Sequence, residues 1–77
     1  MSKKIIIDVD SAVKKYNEQN PEKPLNREKL AKKTNLTYQS IMNYQLGKVP
    51  VILGTLKKIS KLTGVSIVEL IVEQKEN

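Results

Sequence analysis

The side chains best suited to recognising a partner lie within residues 34–48, TNLTYQSIMNYQLGK. Gln39 and Asn43 are four residues apart, so on a helix they share one face. Each side-chain amide carries a hydrogen-bond donor and an acceptor. The pair can therefore bind a partner surface that presents an acceptor and a donor side by side. The competing interpretation is that these residues, together with Tyr38, only keep an exposed helix face in water.

Two residue types on which many catalytic and metal sites depend, Cys and His, do not occur in the 77 residues. Without Cys there is no disulfide and no thiolate zinc site, and without His the usual general base is missing. Asp8 and Asp10 could be proposed as a carboxylate metal site, but two acids at a helix start are more often caps. We therefore expect a protein that is not an enzyme and has no cofactor or metal.

Positive charge is concentrated in the middle of the chain. The formal net charge is +6, and residues 23–61 contain nine basic residues against the single acid Glu28. Such a surface attracts a polyanion, with nucleic acid the first candidate and an anionic membrane surface the second. No apolar run approaches the roughly 20 residues of a spanning helix. The start, MSKKIII, lacks the apolar stretch of about 7–15 residues found in signal peptides, so we expect a cytoplasmic protein with no membrane partner.

A first helix and an N-terminal arm are expected at the start of the chain. Asp8 can cap a helix, because apolar residues follow it at helical spacing. The polar stretch NEQNPEKP, with its two prolines, ends this helix. The β-branched residues 5–7 form either a short extended arm that could pair with another chain, or an extension of the helix. The apolar positions of the first helix are Val9, Ala12, Val13 and Tyr16.

Two helices joined by a sharp turn are expected next. Asn26 offers its side-chain oxygen as the cap of a short helix that continues to Thr34. Asn35 favours a sharp turn, because asparagine enters the left-handed conformation more cheaply than most residues. Thr37 can cap the following helix, and Gly47 can end it in a left-handed conformation. The inward-facing residues of this third helix are Ile41 and Tyr44, with Leu46 as a further candidate.

Two further helices are expected in the C-terminal third. The first begins just after Pro50 and ends at Gly64. Ser66 caps the second, because Glu69 follows three residues later in the capping-box pattern. The apolar side of the fourth helix comprises Leu53, Leu56, Ile59, Ser60 and Leu62.

The last helix, expected to run to residue 74, carries more apolar surface than one small core needs. Ile67, Leu70 and Ile71 share one face, and Val68 and Val72 widen it. This surplus is either a dimer surface or a surface that packs under the N-terminal arm of the same chain. The isoleucine arm is a second candidate interface. The dimer candidates are therefore Val68, Val72, Ile5 and Ile7.

The fold expected for the whole chain, residues 1–77, is a single all-α domain. An N-terminal arm occupies residues 1–8, and a compact bundle of about five short helices occupies residues 9–74. A chain of this length buries only about 60–65% of the surface that its unfolded form exposes, so its core is thin.

Residues 25–71 resemble the helix-turn-helix domain of the XRE family, the Cro and phage-repressor type of DNA-binding regulator. The match runs without a gap, although Arg27 stands where the family often has Gln. A long set of spaced positions agrees, which is more specific than a short motif. The agreeing residues are Leu25, Glu28, Leu30, Ala31, Thr34, Ile41, Gly47, Lys48, Thr55, Leu56, Ile59, Leu62, Gly64, Val65, Ser66, Glu69 and Leu70.

This resemblance implies a lambda-repressor-like fold and a role for each polar residue of the segment. Residues 37–46 would be the recognition helix, with its N-terminal part at the base edges in the major groove. The base-reading candidates are Tyr38, Gln39 and Asn43, with Thr37 and Ser40 as secondary ones. The phosphate-contacting candidates are Arg27, Lys48, Asn26 and Lys57.

The expected function is that of a small, sequence-specific regulator of transcription, repressor-like and associated with the nucleoid. It would bind double-stranded DNA as a homodimer, because a single module buries little surface on DNA. The alternative is a protein-interaction module, such as an antitoxin, that keeps the fold but binds a protein partner through its apolar arm and last helix. Salt dependence separates the two, because phosphate contacts weaken with salt and an apolar interface hardly responds.

Overall fold

Five helices and a small two-stranded sheet make up residues 3–75, the part of the chain that the computed structural model describes. No helix in this part is long and apolar enough to cross a membrane. The elements in chain order are strand β1 (Lys3–Ile7), helix α1 (Val9–Gln19), α2 (Arg27–Thr34), α3 (Tyr38–Leu46), α4 (Leu53–Thr63), α5 (Ile67–Leu70) and strand β2 (Ile71–Lys75).

The sheet joins the two ends of the described chain. Strands β1 and β2 run antiparallel, with Ile7 opposite Ile71 and Lys3 opposite Lys75. The all-α prediction is therefore wrong in this detail, since residues 5–7 form a strand that pairs within its own chain. The last helix is also shorter than predicted, because it ends at Leu70 instead of residue 74.

The early end of α5 has a physical cause in its sequence and its neighbour. Ile71 and Val72 are β-branched, which disfavours a helix and favours a strand. Strand β1 offers them a backbone partner and a run of isoleucines, two of which, Ile6 and Ile7, are buried. Pairing with β1 satisfies the backbone groups that a longer α5 would have satisfied internally.

Helix starts were predicted correctly at four places, where a side-chain oxygen accepts a hydrogen bond from a backbone N–H three residues later. These caps satisfy N–H groups that the first turn of a helix leaves free. The acceptors and donors are Asp8 with Ser11 at 3.2 Å, Asn26 with Lys29 at 2.8 Å, Thr37 with Ser40 at 3.0 Å, and Ser66 with Glu69 at 3.3 Å.

The turns that end α2, α3 and α4 are left-handed, as predicted for the first two, and α4 ends at Gly64 as predicted. Asn35 has φ 61°, Gly47 has φ 71° and Gly64 has φ 76°. Gly47 also lies close to β1, because a Cβ atom built there would stand 3.0 Å from Ile6 Cγ2 and 2.9 Å from Lys4 Cδ. The end of α3 and strand β1 therefore meet where only glycine leaves room.

The core lies between the helices and the inner side of the sheet. Ile41, Tyr44, Leu56 and Ile59 are buried as predicted. Leu53 is 57% exposed and Leu46 is 43% exposed, so the prediction that they face inward is wrong. Thr55 is buried in α4 instead and donates a hydrogen bond to the Tyr44 hydroxyl. The other fully or nearly fully buried apolar residues are Ile6, Ile7, Val9, Ala12, Leu25, Leu30, Ala31, Val65 and Leu70.

Candidate nucleic-acid interface

The outer face of α3 carries the amide pair on which the sequence prediction centred. Gln39 is exposed and Asn43 is half-buried, and both lie on a helix whose start is fixed by the Thr37 cap. Gln39 Nε2 donates to Asn43 Oδ1 at 3.0 Å. The hydrogen bond holds the two amides together and leaves the Gln39 carbonyl oxygen as a free acceptor and the Asn43 Nδ2 group as a free donor.

The hydroxyls of Thr37 and Ser40 are engaged with each other at the start of α3. Thr37 Oγ1 accepts from the backbone N–H of Ser40 and donates to Ser40 Oγ, both at 3.0 Å. Thr37 is exposed and Ser40 is half-buried. Because these hydroxyls are engaged at the helix cap, Thr37 and Ser40 are less free to rearrange than the other predicted base-reading residues.

A charged fork stands beside the start of α3. Arg27, the first residue of α2, donates from Nε to Asp10 Oδ1 at 2.8 Å and from Nη2 to Asp10 Oδ2 at 2.6 Å. Its Nη1 lies 3.1 Å from Met42 Sδ. Asp10 belongs to the first turn of α1 and Met42 to α3, so this guanidinium of α2 contacts two other helices.

The same aspartate is attached to α3 through its backbone. The N–H of Asp10 donates to Gln45 Oε1 at 3.0 Å. Because this bond and the Arg27 fork share Asp10, the start of α1 is tied to α3 both directly and through α2. Sequence reasoning missed this arrangement, since the partners are 17 and 35 residues apart and no local pattern connects them.

The fork changes the acid–base properties of both partners. The hydrogen bonds from the Arg27 guanidinium hold the pKa of Asp10 below its usual range, against a partial burial that would raise it. The Asp10 carboxylate, with the Tyr38 hydroxyl as a second partner, raises the pKa of Arg27 further above neutral pH. The pair is therefore fully ionised at neutral pH.

The other predicted phosphate contacts lie around α3 on separate elements. Asn26 is exposed, and its side-chain oxygen already accepts from the Lys29 N–H as a cap. Lys48 is exposed just after α3, and Lys57 is exposed on α4. Helix α4 begins without a side-chain cap, so its first backbone N–H groups have no side-chain acceptor.

The four dimer candidates have different exposures. Ile7 is fully buried in the core, so the prediction that it forms an interface is wrong. Ile5 is 41% exposed and Val68 is 84% exposed. Val72 is half-buried and lies opposite Ile6 in the sheet, not on a long last helix. Ile5 and Val68 are therefore the candidates that a partner could contact without unfolding.

An open apolar groove of about 740 Å³ lies beside the end of α3. Ile5 and Ile71 contribute from the sheet, and Leu53 contributes from the start of α4. The connecting loop adds Val49, Pro50 and Val51, with Lys48 as the charged residue of the lining. Sequence reasoning missed this surface because strands from both ends of the chain form one wall of it.

The acids at the start of α1 are already engaged by protein groups. Asp8 caps α1 and Asp10 binds Arg27. Within residues 3–75 no group of three or more potential ligands is arranged to hold a metal ion. These two carboxylates therefore have structural partners in the described part of the chain.

Comparisons with known proteins do not identify the site. Searches against protein-family models, curated proteins and solved structures found no match for this chain. Its function is therefore inferred from its own residues and their arrangement.

Proposed function

We propose that this chain is a small, repressor-like regulator of transcription that binds double-stranded DNA at specific sequences. Residues 37–46 enter the major groove, and the N-terminal part of α3 faces the base edges. The observation that carries the proposal is the hydrogen-bonded pair of Gln39 and Asn43 on the outer face of a capped helix. The basic residues of positions 23–61 surround this helix in the sequence and supply the attraction for phosphates.

Adenine is the base that the pair fits best. Its major-groove edge offers the N6 amino group as a donor and N7 as an acceptor. The free Gln39 oxygen accepts from N6, and the free Asn43 amide donates to N7. Tyr38, 47% exposed beside them, is available for a thymine methyl, a sugar or a phosphate.

Phosphate contacts position the protein on the duplex without reading its sequence. Lys48 and Lys57 are exposed cations that both follow the groove-entering helix in the sequence. The uncapped start of α4 offers backbone N–H groups to a phosphate oxygen, and the positive end of the helix dipole favours the anion. At the start of α2, the amide nitrogen of Asn26 is not used in the cap and is available to donate to a phosphate.

The active form in this proposal is a homodimer. Readers of this kind bind two half-sites about one helical turn apart, so operator symmetry follows protein symmetry. The apolar groove beside the end of α3 is the surface on which we place the second copy.

The test is selection from a random double-stranded DNA library at about 150 mM salt, followed by sequencing. A palindrome whose half-sites are about 10 base pairs apart supports a dimeric sequence reader. A matched selection with Gln39→Ala should lose one recovered base in each half-site, whereas Lys48→Ala should recover the same palindrome less efficiently. Recovery at background level for the unmodified chain contradicts the proposal.

The second candidate, a module that binds a protein partner, is favoured by the same open apolar groove. Salt distinguishes the candidates. DNA binding through Z phosphate contacts weakens with a log–log slope of about −0.9Z. An apolar protein interface hardly responds to salt, so a salt-insensitive complex with a protein would favour this alternative.

A further inference from the structure

The Arg27 side chain is committed to protein partners on all of its nitrogens. Nε and Nη2 each donate to one oxygen of Asp10, and Nη1 contacts the sulfur of Met42. The Tyr38 side chain contributes to the raised pKa of Arg27 and is therefore near the guanidinium. Met42 and Tyr38 both belong to α3 and flank Gln39 in sequence. The guanidinium thus lies against the same helix that carries the amide pair.

Asp10 is held in place from its other side. Its backbone N–H donates to Gln45 Oε1 at 3.0 Å, and Gln45 is also a residue of α3. The contacts therefore close a ring that passes from α1 through Arg27 to α3 and back to α1. A planar guanidinium in a two-point contact fixes direction as well as distance, which a single charge on a flexible stem does not.

We infer that Arg27 is a positioning residue: by joining Asp10 of α1 to Met42 of α3, it sets the orientation in which α3 presents Gln39 and Asn43, and it does not itself hold a DNA phosphate. This inference rests on the proposed function and replaces the phosphate contact expected for Arg27 from sequence.

The alternative, a phosphate contact, requires the fork to break. A phosphate that took Arg27 would leave the Asp10 carboxylate unpaired beside the DNA, and two neighbouring anions repel each other. Met42 would lose its guanidinium contact at the same time. Asp10 also cancels the charge of Arg27 locally, so the pair attracts a polyanion less than a free lysine does.

Two substitutions separate the roles because the positioning role and the phosphate contact predict different results for them. Arg27→Lys keeps the positive charge but cannot form the two-point fork. Asp10→Asn keeps Arg27 and removes the negative charge that holds it. Glu69→Gln is the matched control, because it breaks a different exposed ion pair of α1, the one between Lys15 and Glu69 of α5.

Affinity is measured by fluorescence anisotropy for the selected site and for a random duplex, over a series of salt concentrations. If Arg27 is a positioning residue, both variants should lose selectivity for the selected site. A loss equal to one base contact corresponds to roughly 5–150-fold. The salt slope of Arg27→Lys should stay unchanged. Glu69→Gln keeps the selectivity. A phosphate contact instead predicts that Arg27→Lys binds normally and that Asp10→Asn binds all DNA more tightly with a steeper slope, which would overturn the inference.

A measurement without DNA keeps the inference testable if the proposed function fails. Two-dimensional NMR spectra of the free protein report the Tyr38 ring and the Met42 methyl group. Both should shift in Arg27→Lys and in Asp10→Asn, neither of which changes Tyr38 or Met42, and both should stay in place in Glu69→Gln. Unshifted resonances in the first two variants would overturn the positioning role. If the unmodified chain does not bind DNA selectively, only the proposed function is contradicted.

Discussion

At the scale of single residues, Gln39 and Asn43 should act as a unit. Because Gln39 Nε2 donates to Asn43 Oδ1, removal of either side chain frees the other to move. Gln39→Ala should weaken binding to the selected site by roughly 1–3 kcal/mol and hardly affect binding to random DNA. Titration of each variant against the selected site and against single base-pair substitutions measures this.

The double variant Gln39→Ala/Asn43→Ala completes the cycle for this pair. Coupled residues give a combined effect smaller than the sum of the single effects. Additive losses would show that the two amides contact different bases independently. An equal loss on random DNA, as expected for Lys48→Ala, would show that Gln39 does not read a base.

Asp10 should make the stability of the protein depend on acidic pH. Its folded-state pKa is lowered by the Arg27 fork, so the folded protein holds this proton less strongly than the unfolded chain. The stabilisation is therefore present above the unfolded pKa of about 3.9 and is lost as pH falls through the lower folded value. Urea unfolding of the unmodified chain and of Asp10→Asn, from about pH 6 down to about pH 2, should give free energies of unfolding that converge only at the acid end.

Glu69 has a similar lowered pKa because of Lys15, but it is present in both proteins of this comparison. Its effect therefore cancels in the difference between them. If the difference in the free energy of unfolding stays constant over the whole pH range, the negative charge of Asp10 does not stabilise the folded protein.

Sequence patterns predicted the local contacts of individual residues and missed the distant ones. Each of the four caps joins residues three positions apart, so the side chain and the N–H that it binds appear together in the sequence. The Arg27–Asp10 fork depends on how α1 and α2 pack, which no local spacing contains. The family resemblance suggested a phosphate contact for Arg27, because arginine there replaces the neutral donor of the family's Gln with a charged one.

At the scale of elements, the five helices could be predicted and the sheet could not. Helices α1, α2 and α3 have side-chain caps and apolar spacing in their own part of the sequence. Helix α4 has no side-chain cap, but its apolar spacing and the stop at Gly64 are also local signals. For α5 the Ser66 cap gave the start, but the length depended on β1, whose residues lie more than 60 positions earlier. Ile71 and Val72 were the signal in favour of a strand, and they could be interpreted only together with residues 5–7.

The contact between β1 and the end of α3 should be measurable at Gly47. Gly47→Ala combines backbone strain at φ 71° with a Cβ 3.0 Å from Ile6 Cγ2 and 2.9 Å from Lys4 Cδ. Gly64 has φ 76° and no atom within 4 Å of its Cβ position, so Gly64→Ala is a control that carries the strain alone. We expect Gly64→Ala to destabilise by about 1–2 kcal/mol and Gly47→Ala to destabilise more.

Chemical denaturation of both variants gives the comparison. The additional loss of stability in Gly47→Ala, compared with Gly64→Ala, measures how firmly β1 is packed on the end of α3. Equal losses would mean that the Lys4 and Ile6 side chains move aside without cost, and that the sheet is only loosely attached to the helices.

At the scale of the whole molecule, the charge distribution and the helical content were accessible from sequence, whereas the apolar surface was not. The basic middle of the chain could be counted directly. The groove is formed by Ile5 and Ile71 from opposite ends of the chain and by Leu53 from the start of α4. Its position required the pairing of β1 with β2, and Leu53 had been predicted to face inward.

The position of this groove determines which substitution should separate the two copies of the proposed dimer. Leu53→Gln removes an apolar side chain that is 57% exposed in the lining of the groove. Val68→Gln is the control, since Val68 is 84% exposed on α5 and is not part of that lining. Neither change adds charge, so direct effects on attraction to DNA are small.

Sedimentation equilibrium over a range of micromolar concentrations should show a dimer for the unmodified chain and for Val68→Gln, and a monomer for Leu53→Gln. The monomer should bind a single half-site normally and the palindrome more weakly, because only the coupling between two modules is lost. Dissociation by Val68→Gln alone would instead place the interface on α5. An unmodified chain that stays monomeric would contradict both interfaces and leave the groove free for a different protein.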